Sequence, residues 1–507
     1  MKLIYRTITS TAIASTAILG ISGSAEAINL TLDIGSNFTS STFGVDTGFV
    51  PPDTMGAVGL DHIVELINGR YKIYEKPTGE DVKSLSPDVD ISLDEFWKRA
   101  NVTPMGDTTA LSKSFDPRVL YDPFSERWFA TSVDNAQNAN NILFAVSESS
   151  NPIDGWTGFS IDSDSTDQRW ADFPTLGFDK NGVYISTTLF DIPDSGDDDG
   201  VRSLAAVVAL PKNDLLADTP RINDEKPTFE NRSDIGFNNQ PVVNLDNTDI
   251  PAILLSNISD NQFRRSNITG NINSPTLIPS GTVDVMRFSS PPSAEQPGPK
   301  QNIDTGNNRF SSNLVLINGS IWGVQSVENF GRSALRWFEI DEATNQLLQE
   351  GLIASPELSF YYGSIAVNEY NDVVIGFSGS GSGEEQFVSS YAVAGQTVGG
   401  ITTFSDPLLL EEGVADYELI GRDDPLRRNR WGDYSATVVD PTDPFTFWTF
   451  QEFVSAEDIW STQITELRIA SAVVYEPTSV LALLAIAGLG TNAALKKRKP
   501  TKCSSIK

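Results

Sequence analysis

The sequence predicts an all-β protein whose body is one large β-propeller. Three observations carry that expectation. A hairpin unit recurs seven times along the 507 residues: an apolar strand, a turn on Asp or Asn, then a strand rich in aromatic and β-branched residues. The 38 glycines and 28 prolines are spread along the chain, which argues against separate domains joined by a linker. Helical periodicity is nearly absent, and only residues 94–100 and 342–350 are expected as short helices.

The chain opens with a leader. Lys2 and Arg6 form a basic start, residues 8–21 are apolar and small, and Ala25-Glu26-Ala27 has the A-x-A form that signal peptidase cuts. Residues 1–27 are therefore expected to be a signal peptide read by the Sec translocon and removed after Ala27.

The body, 28–470, holds the recurring units. Their turns fall at Asp61, Asp122, Asp179, Asp246, Asn318, Asn368 and Asp440. The second strands include Arg127-Trp128-Phe129-Ala130, Val183-Tyr184-Ile185-Ser186 and Ile321-Trp322-Gly323-Val324. Asp and Asn suit such turns because their side chains bond the backbone two residues on. The units lie roughly 50–70 residues apart, the length of a four-stranded blade with long loops, and radial repetition of such blades is a propeller. Six to eight blades fit the length, with seven favoured. Unrelated hairpins in a β-sandwich or β-helix are the competing architecture.

The chain ends with a linker at 471–477, an uncharged apolar run at 478–495 and Lys496-Lys497-Arg498-Lys499 within the basic stretch 496–507. The run is at the lower length limit of a spanning helix, about 17 residues. The basic end is expected to stay cytoplasmic, leaving the body outside.

Composition excludes several functions. The formal net charge is −31, and removing the basic leader and tail makes the body more acidic still, so it repels nucleic acid and anionic lipid. The single cysteine, Cys503, lies in the tail, which leaves the body without disulfides or a thiolate nucleophile. The single histidine, His62, excludes a zinc site built on several histidines and is expected to be structural. Chemistry here must use carboxylates, tyrosine or a metal held by oxygen.

Three constellations fit that restriction. In Arg427-Arg428-Asn429-Arg430-Trp431-Gly432-Asp433-Tyr434, the residues Arg430, Trp431, Asp433 and Tyr434 suit a sugar held by stacking and paired hydrogen bonds. A purely structural use, with Arg430 paired to Asp433 and Trp431 filling a gap between blades, is the competing reading. Arg118, Arg127, Arg169 and Arg336 stand beside similar aromatic or Asp-turn motifs; Arg118 and Arg336 join the candidate ligand set. The third constellation is acidic. Asp191, Asp194, Asp197, Asp198 and Asp199, with Gly196 and Gly200, offer an oxygen-rich loop of the kind calcium takes, and Asp162, Asp164, Asp167 and Asp172 form a second group. Neither has EF-hand spacing, and a solvated acidic loop is the plain alternative.

Two resemblances follow from these residues. Glu476-Pro477-Thr478, the apolar run and the basic end resemble the PEP-CTERM sorting tail, although Tyr475 stands where that family usually has its first proline. The resemblance implies an exosortase, a membrane cysteine transpeptidase, acting at Glu476-Pro477. The motifs Val50-Pro51-Pro52-Asp53-Thr54-Met55-Gly56, Asp116-Pro117-Arg118-Val119-Leu120-Tyr121-Asp122-Pro123, Asp172-Phe173-Pro174-Thr175 and Arg430-Trp431-Gly432-Asp433-Tyr434 resemble a family of large secreted bacterial proteins with sialidase-like propeller character and mostly no assigned activity. Sialidase-type enzymes use an arginine trio with a Tyr-Glu pair, for which Tyr434 with Glu452 or Glu339 are the candidates. Strict Asp-box repeats are absent.

The expectation is an exported cell-surface or extracellular-matrix protein that binds a glycan or protein across the propeller face. A sialidase-like glycosidase, with Arg430, Tyr434, Asp433 and Glu452 as candidate catalytic residues, is the first alternative. A structural component of extracellular polymer is the second.

Overall fold

The computed structural model describes residues 29–77, 84–107, 112–192, 204–222, 228–421 and 426–472. Leu30–Ala470 forms one compact unit; the second unit, Met1–Asn29 with Ser471–Lys507, falls almost wholly outside the described residues. The expected leader, sorting motif, apolar run and basic end therefore lie outside them, as do Asp194, Asp197, Asp198 and Asp199. Among the described residues no helix is long and apolar enough to cross a membrane.

The described chain is nearly all-β and propeller-like. Its strands form antiparallel meanders of four, whose first strands are Met55–Val58, Ser114–Asp122, Arg169–Phe178, Phe237–Asn244, Leu314–Ile317, Ser359–Val367 and Ala436–Asp440. Each first strand packs beside the next, and the last returns to the first, so the meanders close into a ring. Phe237–Asn244 and Leu314–Ile317 also pair in parallel, which fuses two meanders into one eight-stranded sheet. The sixth meander carries a further strand, Leu408–Glu411.

Each recurring unit of the sequence is the first hairpin of one meander. The turn residues cap these hairpins as their chemistry requires. Asp122 accepts from Phe124 N at 3.1 Å, Asp179 from Asn181 N at 2.7 Å, and Asp440 from Thr442 N at 2.8 Å. The core lies between neighbouring sheets. Phe129 and Phe144 of the second meander, for example, pack against Phe178, Ile185 and Val208 of the third.

Closure joins the first and last described strands. The strand Asn29–Thr42 is the fourth strand of the last meander, beside Ile459–Ala472. Ser41 N donates to Thr462 Oγ1 at 2.8 Å, and Ser36 N to Glu466 Oε2 at 3.1 Å. Glu65, fully buried in the first meander, accepts from the hydroxyls of Ser40, Ser41 and Thr462 and so ties the seam to the ring.

One expected helix is present, at Leu93–Arg99: Ser92 caps it and Leu93, Phe96 and Trp97 are buried. The other is not. Residues 342–350 have no apolar stripe to bury as a helix. Asp341 caps a turn through Thr344 N at 2.7 Å, and Leu347–Ile353 then pairs along Arg332–Asp341 as a strand. A short helix at Lys212–Leu215 gave no sequence signal.

Candidate active site on the ring axis

Four first strands carry the same irregularity near their starts. Register slips at Asp116-Pro117, Phe173-Pro174, Asn238-Asn239 and Tyr362-Gly363. The leading residue of each pair has a positive φ, 51°, 50°, 48° and 50°, and Asp53, before the first strand, has 51°. Such bulges re-aim side chains out of the ladder. An L residue held at positive φ is strained, and strain of this kind gathers at functional sites.

The bulges bring residues from distant parts of the chain together. Asp53 accepts from Asp433 N through Oδ1 and from Asn68 Nδ2 through Oδ2, both at 2.7 Å. Asn68 Oδ1 in turn accepts from Asp116 N at 2.8 Å, and Asp116 Oδ2 from Phe173 N at 3.2 Å. The carboxyls of Asp116 and Asp172 also hydrogen-bond each other. Asp433 pairs with Arg309 at 2.8 Å and with Arg430 at 3.0 Å. Arg428 and Arg430 reach Asp304 at 3.2 and 3.8 Å. Arg309 also lies 3.9 Å over the Phe173 ring.

A buried layer supports this cluster. Arg118 is 1% exposed, donates to Pro174 O and Ser311 O at 2.9 Å each, and lies 3.3 Å from the Tyr434 ring centroid. Tyr434 OH donates to Pro117 O at 3.0 Å. Tyr362 is clamped on both sides: its N–H donates to Ser326 Oγ and its carbonyl accepts from Ser435 Oγ. Above this layer Asp433, Arg309 and Arg430 keep 18%, 17% and 15% of their side chains exposed, so the cluster is partly accessible to solute.

The carboxyls are held in different states. Burial, with Asp172 and Asp433 adding to it, pushes the Asp116 carboxyl up to about 7. Burial likewise raises Asp53 well above the carboxylate range and raises Asp172. At Asp433 burial opposes the charge, but Arg430, Arg309 and Arg428 outweigh it and hold the group below its usual range. Carboxyls shifted in opposite directions thus stand side by side, an arrangement suited to acid–base work.

Not all the residues singled out from sequence belong here. Arg430 and Asp433 do, facing outward, with Arg118 and Tyr434 beneath them. Trp431 is 1% exposed, packs edge-on to Tyr417 and donates to Ser378 Oγ, so it offers no face to a sugar. Arg336 lies apart, bound to Glu350 near Phe263 and Phe288 in the sheet core. Arg127 bonds the carbonyls of its own turn, and Arg169 pairs with Asp191. Glu452 is buried behind the cluster, accepting from Thr54 Oγ1 at 2.7 Å and Gly432 N at 3.2 Å. Glu339 is engaged by Gln349. Of the second acidic group, Asp164 caps its own loop through Thr166, Gln168 and Arg169, while Asp172 joins the axial cluster. Among the described residues no group of three or more His, Cys, Asp or Glu side chains is arranged to hold a metal ion.

The chain matches no protein-family model and no curated protein. Among solved structures it is similar to the Trypanosoma rangeli sialidase in complex with sialic acid, at 9% identity and a TM-score of 0.37, over 92% of this chain and 64% of that one. A Dyadobacter fermentans protein of unknown function gives 12% identity and a TM-score of 0.31, over 71% of this chain and 95% of that one. An exo-β-1,3-galactanase from Clostridium thermocellum gives 9% and 0.33, over 61% and 66%. The chain thus spans less than two thirds of the sialidase's length. At these levels of similarity the site's chemistry has to come from its own residues.

Asp53 and Asp116 lie in motifs that carry the family resemblance, which implies no role of their own, and Arg309 gave no signal in the sequence. The first two follow or contain a proline step, as Pro52-Asp53 and Asp116-Pro117, and Phe173-Pro174 repeats the pattern. That recurrence was the available clue. Arg309 comes from the long connection before Leu314–Ile317, which repeats nowhere in the chain.

Proposed function

We propose that this protein is an exported seven-bladed propeller that binds glycan at its axial cluster. The observation that carries the reading is the partly exposed group of Asp433, Arg309 and Arg430 above a fixed buried layer. Sugar hydroxyls donate to carboxylates and accept from guanidinium groups, and charge-assisted bonds of this kind are the strong ones. A rigid layer beneath keeps the polar groups in place before the ligand arrives, which lowers the cost of binding. Export through the leader, exosortase sorting at Glu476-Pro477 and a location at the cell surface or matrix rest on the terminal sequences.

A second reading, glycoside hydrolysis, is favoured by the Asp116 carboxyl standing near Asp433. Hydrolysis needs one carboxyl that arrives protonated and another that is ionised. Asp116 would donate the proton to the leaving oxygen, and Asp433 or Asp172 would act as base or nucleophile.

One experiment tests both. The purified full-length protein is screened on a glycan array, with soluble products followed by mass spectrometry. Retained glycan without release supports the binding reading, and Asp433→Asn is then expected to weaken retention roughly tenfold by removing a charged partner. Release that is lost in Asp116→Asn supports hydrolysis. No retention and no release on any glycan overturns both.

A further inference from the structure

The hairpin between Ser320–Asn329 and Arg332–Asp341 turns through only two residues, Phe330 and Gly331, because Asn329 pairs directly with Arg332. Their φ values are 49° and 81°. Two positive values make this a turn that strongly prefers Asn-Gly. A phenylalanine at positive φ is a steric outlier. Phe330 is also 98% exposed, so it packs against nothing that would repay the strain. The fold would be served better by asparagine here.

The hairpin sits on the face that holds the axial cluster. Leu314–Ile317 sets out from the side of Arg309 and Ser311, and Ser320–Asn329 runs antiparallel back toward it. Contacts lead the same way. Arg332 pairs with Glu295 at 2.9 Å, Ala294 pairs with Ile303, and the adjacent Asp304 meets Arg428 and Arg430.

We propose that Phe330 is a stacking platform for a neutral glycan chain whose other end occupies the axial cluster. The proposal rests on the glycan-binding reading. One aromatic ring matches one pyranose: the C–H face of the sugar lies on the electron-rich ring face. Phe330's hairpin neighbours Asn329 and Arg332 are polar and Gly331 has no side chain, whereas a stable protein interface buries about 800 Å² on each partner. Glu328 and the Arg332–Glu295 pair leave no cationic cluster at the tip, and the net charge of −31 repels an anionic membrane.

The test compares wild type with Phe330→Asn by affinity electrophoresis in gels containing dextran, laminarin or galactomannan, alongside the melting temperature. Asparagine fits the turn, so the variant is expected to melt at or above the wild-type temperature while its affinity for the retarding polysaccharide falls on the order of five- to tenfold. Equal retardation of both proteins overturns the proposal and leaves glycan binding intact. A lower melting temperature in the variant makes Phe330 structural and overturns it as well. Flotation with phosphatidylcholine vesicles that depends on Phe330 would replace the glycan by a membrane. If no polysaccharide retards the wild type, the glycan-binding reading fails and this proposal with it.

Discussion

Arg118 and Tyr434 are 316 positions apart in sequence, yet the guanidinium lies 3.3 Å from the centroid of the phenol ring. The contact joins the second and seventh meanders beneath the axial cluster. Tyr434 OH completes it by donating to Pro117 O, next to Arg118 in the chain.

That contact predicts a large stability loss on substitution. Arg118→Ala would leave the carbonyls of Pro174 and Ser311 unpaired in a buried site and remove the cation–π contact. A cost of about 3 kcal/mol is expected. Arg118→Lys should recover only part of it, since an ammonium does not reproduce the planar fork. Urea unfolding measures both; a loss under about 1 kcal/mol in Arg118→Ala would contradict the supporting role.

The second prediction concerns pH. Burial raises the Glu452 carboxyl to about 8 and, with its acidic neighbours, the Asp116 carboxyl to about 7. In the unfolded chain both titrate near ~4. Between those values the folded state binds more protons than the unfolded one, so these two groups make stability fall as pH rises from about 4 to about 8. Asp433, held low by its arginines, acts in the opposite sense: its contribution is present above ~4 and is lost on acidification. Scanning calorimetry should show a melting temperature that declines from pH 5 to 8.5, and a shallower decline in Glu452→Gln. An unchanged slope in that variant would rule out Glu452 as a source.

The third prediction concerns the seam. Glu65 is the common acceptor for Ser40, Ser41 and Thr462, one side chain serving both closing strands. Glu65→Ala leaves these hydroxyls without their carboxylate acceptor and leaves Lys72 with Asp46 as its charged partner, at a cost of roughly 3 kcal/mol. Hydrogen exchange should then quicken first in Asn29–Thr42. Uniform quickening across all sheets would argue against a local lock.

The fold was legible where its signals are local. A turn built on Asp122 or Asp179 is satisfied by backbone two or three residues away, so it shows in the sequence next to the strands it joins. The same locality exposed Arg430 and Asp433, which share one short motif. Asp53, Asp116 and Arg309 lie on three separate segments, and only ring closure brings them together. Their meaning depends on contacts spanning hundreds of residues, which no window along the chain contains. Trp431 takes the structural alternative that its motif allowed, and Arg336 misled for the converse reason: residue type suggested recognition, while burial assigned both to packing.

The seam between Asn29–Thr42 and Ile459–Ala472 sets an order of events in time. A chain is made from its first residue onward, and domains tend to fold as they emerge. Among the described residues the earliest strand packs on the first meander but has no strand to pair with until the latest one exists. Six meanders can assemble while synthesis continues, but the strand Asn29–Thr42 must wait, its hydrogen-bonding edge unsatisfied, until the final strand is delivered. Completion of the ring therefore reports that the entire body has arrived, and a chain truncated before Ile459 retains an open edge however well its other sheets have formed.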